Sequence, residues 1–166
     1  MRSVLASFLT MSMLFFACGV YTFSPSALGG VKTIAIQQFT NNTTEYGIND
    51  LVADQVNQAF IDDNTLRVVS DEQADIILIG AVVAYSHEPY TYNEAESVQE
   101  YVCRISLKIK IEYADSEKIL WEDNKLSDYG IYSVTGSTGN QTQDDANQAA
   151  IEKLVEEILN RTVKGW

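Results

Sequence analysis

The chain has 166 residues, 46% hydrophobic and 20% charged, with 2 Pro and 9 Gly, a balance that excludes disordered, collagen-like and low-complexity classes. Lys and Arg number 11 against 23 Asp and Glu, a formal net charge of −12, which argues against a nucleic-acid binder, since such proteins neutralise phosphates with clustered cations. Two Cys and one His are too few for a tetrahedral structural zinc site, and neither a metal nor a cofactor is expected.

Residues 1–17 hold one charge, Arg2, then an apolar run from Val4 to Phe16 that ends at Ala17, directly before Cys18. The segment is shorter than the about 20 apolar residues of a spanning helix, and its order is that of a secretory signal. A Cys at the cleavage point resembles the lipobox of bacterial lipoproteins, although Phe15 stands where Leu is usual. That resemblance implies Cys18 as the acylated first residue of the mature protein. A plain secretory signal with an incidental Cys18 is the alternative. Gly19, rather than Asp, implies the outer membrane by the enterobacterial sorting rule. Residues 18–30 read as a lipidated tether and 31–166 as a single domain. Without residues 1–17 the body carries 10 basic against 23 acidic residues, or −13.

Along the mature chain, VKTIAIQQF (31–39) is rich in β-branched residues and predicts a strand, followed by a polar turn at 41–44. Ile48, Leu51, Val52, Val56, Ala59 and Phe60 form one stripe of a helix that stops at Asp62, Asp63 and Asn64. Residues 66–69 read as a short edge strand. Residues 76–85 are apolar at both parities, which predicts a strand covered on both faces in its first half. In 101–113 the odd positions are apolar from Cys103 to Ile111 and the even ones include Arg104, Lys108, Lys110 and Glu112, the signature of a strand with one buried face.

A turn at 114–118 leads to a further strand through Ile119, Trp121, Leu126, Tyr129 and Ile131. Its apolar parity changes between Trp121 and Leu126, so a β-bulge is expected within 123–125. Trp121 shares the parity of Ile119 and is expected on the buried face. Residues 130–140 read as a loop. Ala150, Ile151, Leu154, Val155, Ile158 and Leu159 define a second amphipathic helix over 144–163, with Thr142 and Asp145 placed as an N-capping pair. The order β-α-β-β-β-β-α describes an α+β domain with two helices on one face of a mixed or antiparallel sheet.

Little of this carries chemistry. His87, the single imidazole, reads as a strand-end residue near solvent rather than a ligand or base. Cys103 reads as a small buried hydrophobe. The GSTGN stretch (136–140) lacks the Lys of a phosphate loop and the spacing of a dinucleotide fingerprint, so it reads as a mobile loop. The carboxylates lie in turns and on helix faces. No catalytic group is assigned and an enzyme is not expected; a small secreted hydrolase is the enzymatic alternative. Arg104, Lys108 and Lys110 share one sheet face as a cationic stripe, a candidate contact for anionic lipid or a protein wall. The plain alternative is that Glu112, Glu122, Asp123 or Asp128 pair with them at little energetic gain.

Several collinear segments together resemble the lipopolysaccharide-assembly lipoprotein family, LptE: CGVYTF (18–23), VKTIAIQQFTNNT (31–43), Ala74 and Asp75 entering a long strand, KILWED (118–123) and NRTVKGW (160–166). The resemblance covers nearly the whole mature chain. It implies helices on one side of a mixed sheet and a lipoprotein of the outer membrane facing the periplasm. It further implies a subunit that plugs the β-barrel protein LptD and helps deliver lipopolysaccharide, without turnover or cofactor. A regulatory lipoprotein that activates a peptidoglycan synthase, or a domain like the N-terminal domain of TolB, shares the early strand, turn and helix and is the other reading.

Overall fold

The computed structural model describes residues 29–134 and 142–165. The elements are β1 (Thr33–Ile36), β2 (Thr40–Asn41), α1 (Ile48–Asp63), β3 (Arg67–Val68), a 3-10 turn (Asp71–Gln73), β4 (Ile76–Tyr92), β5 (Val98–Tyr113), β6 (Ile119–Ser133) and α2 (Gln143–Lys164). The strands form one mixed sheet in the order β3-β1-β4-β5-β6, with β2 also on β4. β1 runs parallel to both β3 and β4, whereas β4, β5 and β6 are successive antiparallel neighbours. This is the α+β architecture expected from the sequence, with one extra short strand.

That extra strand has a local cause. The apolar stretch 31–39 leaves the ladder after Ile36, and the Phe39 ring drops onto the face of Gly80, the one place on β4 without a side chain to obstruct it. Thr40 and Asn41 then rejoin β4 opposite Ala81 and Val82.

The core lies between the sheet and the helices. From α1 it takes Ile48, Val52, Val56 and Phe60, a strict four-residue spacing that keeps one narrow stripe inward. Leu51 belongs to the predicted stripe but is 48% exposed. From α2 come Ala150, Ile151, Leu154, Val155 and Ile158, and from β5 the odd positions Ile105 to Ile111. The capping box at the start of α2 is present, with Thr142 accepting from the Asp145 amide and Asp145 accepting from the Thr142 amide. Ladder pairs Leu107–Leu126 and Ile109–Asp123 leave one extra residue on β6, which is the expected bulge; Asp123 closes it by accepting from the Lys125 amide at 2.9 Å.

Two expectations change. β4 is not covered on both faces: Ile76, Leu78, Gly80 and Val82 are buried, while Ile77, Ile79, Ala81 and Val83 are only half-buried on the face away from the helices. The β4–β5 hairpin is also longer than its apolar pattern. It continues to Tyr92 and resumes at Val98, where Asn93 holds the turn by accepting from the amides of Ala95 and Ser97. His87 therefore sits within a strand, not at its end. Pro89, which cannot donate to the ladder, is tolerated beside a register shift.

Candidate functional site

The antiparallel registers put Arg104, Lys108 and Lys110 on the sheet face turned away from the helices, as their even parity predicts. The three are not equivalent. Lys110 is ion-paired to Glu112 at 2.7 Å, two residues along the same strand. The Arg104 guanidinium lies over the Tyr129 ring, 4.8 Å from its centroid. Lys108 is exposed and makes no ion pair within 4 Å among the described residues. Of the acidic residues expected to compete, Glu112 does so, Glu122 stands opposite Lys110 across the β5–β6 ladder without an ion pair within 4 Å to any described residue, and Asp123 and Asp128 point to the other face, where they meet Arg161 and Lys153 of α2.

Next to this stripe runs an aliphatic row. Ile79 stands opposite Lys110 and Ala81 opposite Lys108 across the β4–β5 ladder, with Ile77 beyond them. Between Arg104 and Lys108 lies Ser106, 3% exposed, bonded to the Ser127 hydroxyl at 3.0 Å. The face thus joins cations to a half-buried aliphatic strip, a surface suited to an amphiphile with an anionic head. The alternation in β5 made the cations visible in sequence. The aliphatic row was hidden, because a two-sided apolar run reads as buried on both sides.

Trp121 faces α2, as its parity predicts, but it is half-buried rather than fully covered, because β6 is the outer strand and the ring meets α2 near its C-terminal end. Its indole N–H donates to Thr162 Oγ1 at 3.3 Å, and Arg161 sits 5.8 Å from the ring centroid.

A second feature was not read from the sequence. His87, Tyr101 and Tyr132 gather beyond the N-terminus of α2, with ring centroids 4.9 to 5.7 Å apart, and His87 Nε2 lies 2.9 Å from the Tyr132 hydroxyl. Beneath them Cys103 is buried and free, as expected, and burial pushes its thiol pKa up. Tyr85 bonds Asn147 and Gln143 of α2, and burial drives its hydroxyl pKa up to about 12, so it remains a protonated structural link. Among the described residues no group of three or more His, Cys, Asp or Glu side chains could hold a metal ion. Cys18 and the 136–140 stretch lie outside the described residues.

The architecture is shared with bacterial proteins of known structure. A protein of Xanthomonas campestris is 13% identical over 81% of this chain and 88% of its own, with a TM-score of 0.57. A hypothetical protein of Chlamydia trachomatis is 10% identical over 80% and 95%, with a TM-score of 0.53. A minor lipoprotein of Acinetobacter baumannii is 16% identical over 80% and 92%, with a TM-score of 0.51. These likenesses define the fold class, a small sheet-and-two-helix domain that is also found in a lipoprotein. No curated protein matches the sequence. The family model for LptE, lipopolysaccharide assembly, matches residues 31–162, almost the whole domain, and the chain belongs to that family.

Proposed function

We propose that this protein is an outer-membrane lipoprotein, anchored through Cys18 and facing the periplasm, that assembles with and plugs the LptD β-barrel and assists lipopolysaccharide transport to the cell surface. The observation that carries the reading is the family match across residues 31–162. The lipobox-like sequence ending at Cys18 supports the anchor. The outer sheet face supports contact with an amphiphile: Arg104 and Lys108 can meet phosphate groups, Arg in a bidentate manner and Lys as a point charge, beside the apolar strip of Ile77, Ile79 and Ala81. No residue is assigned a catalytic role, and the function is binding and assembly.

The test is crosslinking in intact cells followed by purification of the tagged protein. Recovery of a large outer-membrane barrel in stable complex is the expected result. Recovery of a peptidoglycan synthase in its place would overturn the reading in favour of a regulatory lipoprotein. Cys18→Ala should leave an unprocessed or soluble form; fractionation with the outer membrane at the wild-type level would remove the anchor from the proposal.

A further inference from the structure

The side of the helices that faces away from the sheet carries a groove of about 670 Å³ between α1 and α2. Its floor is apolar, formed by Leu51, Ala59, Val155 and Leu159. Its rims are acidic, with Asp54 and Asp62 on α1 and Glu152 and Glu156 on α2. Among the described residues no Lys or Arg lines it, and α1 contains no basic residue along its 16 positions. Among the described residues none of the four rim acids is in an ion pair within 4 Å, and two accept from neutral amides, Asp62 from Gln58 at 2.8 Å and Glu152 from Gln148 at 3.2 Å. The cations of α2 that could answer them are committed elsewhere, Lys153 to Asp128 and Arg161 to Asp123 and Glu157. An aliphatic trough of this size with uncompensated carboxylates on both banks is complementary to one chemistry in particular. An amphipathic helix can set apolar side chains into the floor at three- and four-residue spacing and bring Lys and Arg to the rims. Anionic lipid is repelled by the same carboxylates, and a second copy of this groove carries the same sign.

We propose that the α1–α2 groove docks a basic amphipathic helix of a partner protein. The two faces of the domain then divide their partners by charge, with anionic amphiphile on the sheet and cationic polypeptide on the helices. The proposal goes beyond the barrel reading and does not depend on it.

The experiment places a photo-crosslinking residue at Gln58, inside the groove, in the full chain held in detergent. In separate samples the same residue replaces Ser127 on the opposite face. Each protein is irradiated with three labelled peptides: Leu and Lys at amphipathic helical spacing, the same pattern with Glu for Lys, and Ser and Lys at equal charge. The Leu/Lys peptide should crosslink from Gln58 at least about tenfold better than either comparator, and better than from Ser127. Added salt should lower the yield. Asp54→Lys combined with Glu156→Lys should reduce the yield about tenfold without altering the thermal transition; if that pair does not fold, Asp54→Asn with Glu156→Gln should give a partial loss. Equal yields from the three peptides, equal yields from Ser127, or indifference to the rim substitutions would overturn the proposal. The assay contains no barrel, so its failure and that of the cell crosslinking are separate results.

Discussion

The backbone carbonyl of Ala146, in the first turns of α2, occupies the space that a β-carbon on Gly130 of β6 would need. Helix and strand therefore approach each other at a point where only hydrogen can stand between them. Gly130→Ala must push α2 off the sheet, and because the obstacle is backbone no rotamer change relieves it. Overpacking of this kind costs about 1–3 kcal/mol, and the upper end is expected here. Thermal unfolding followed by circular dichroism checks it; a melting temperature equal to wild type would mean that α2 is free to shift.

Trp121 separates a packing effect from a hydrogen-bonding one. A fully buried Trp replaced by Ala costs about 3–5 kcal/mol, and since this ring is half-buried the expected loss is about 2–3 kcal/mol. Trp121→Phe keeps most of the contact with α2 and loses the bond to Thr162, which should cost about 1 kcal/mol. Denaturant titration of both variants gives the two values. A Phe variant as unstable as the Ala variant would show that the ring's contact contributes little.

Asp75 links the start of β1 to the approach to β4. Its Oδ2 accepts from the amides of Lys32 and Thr33 at 2.8 and 2.9 Å, and its own amide donates to Thr33 Oγ1 at 2.9 Å. These bonds, that of the Lys32 amide foremost, hold its carboxyl below the ordinary value of 3.8. A depressed carboxylate stabilises the fold above its unfolded pKa, and that contribution is lost as pH falls from about 3.8 through the lower folded value. Asp75→Asn should therefore melt below wild type at pH 7, and the gap should narrow as the pH is taken below 3.8. A gap that is constant with pH would assign the effect to hydrogen-bond geometry alone.

On the outer sheet face, Arg104→Glu, Lys108→Glu and Lys110→Glu together remove one partly buried ion pair and one stacking contact, each worth about 1 kcal/mol. The melting temperature should change little. Binding to lipopolysaccharide at low ionic strength should fall, and wild-type binding should itself weaken as salt is raised. Unchanged lipid binding together with unchanged recovery of the barrel would exclude this face. Lys108→Glu alone should account for more of the loss than Lys110→Glu, because Lys110 is already neutralised by Glu112.

The parts of the fold legible in the sequence are those decided by short-range pattern. β5 could be read from its alternation alone, the cap of α2 from Thr142 and Asp145, and the β6 bulge from a single change of parity. What escaped depends on neighbours far along the chain. The odd residues of β4 look like core until the sheet is assembled and both described helices are found on its other face. Leu51 fits a helical stripe as well as Val52 does, and only the position of α2 decides that it lines a groove rather than the core. The hairpin beyond Tyr85 was hidden because polar residues and Pro89 carry it, with backbone pairing in place of apolar alternation. The cationic half of the outer face was legible for the same reason as β5. The acidic helix groove was not, because no sequence pattern reveals which two helices will lie side by side.

The position of β1 also governs when the domain can form. Its ladder partners, β3 and β4, are both made after it, and the Asp75 carboxylate that fixes its start lies 42 residues downstream of Thr33. β4, β5, β6 and α2 follow one another and can close locally, whereas the first strand to emerge must wait for the middle of the chain. A chain emerging N-terminus first therefore presents Thr33–Ile36 unpaired throughout that interval. Until residues 67–78 arrive, this segment is a strand open at both edges, and such an edge can pair with another chain.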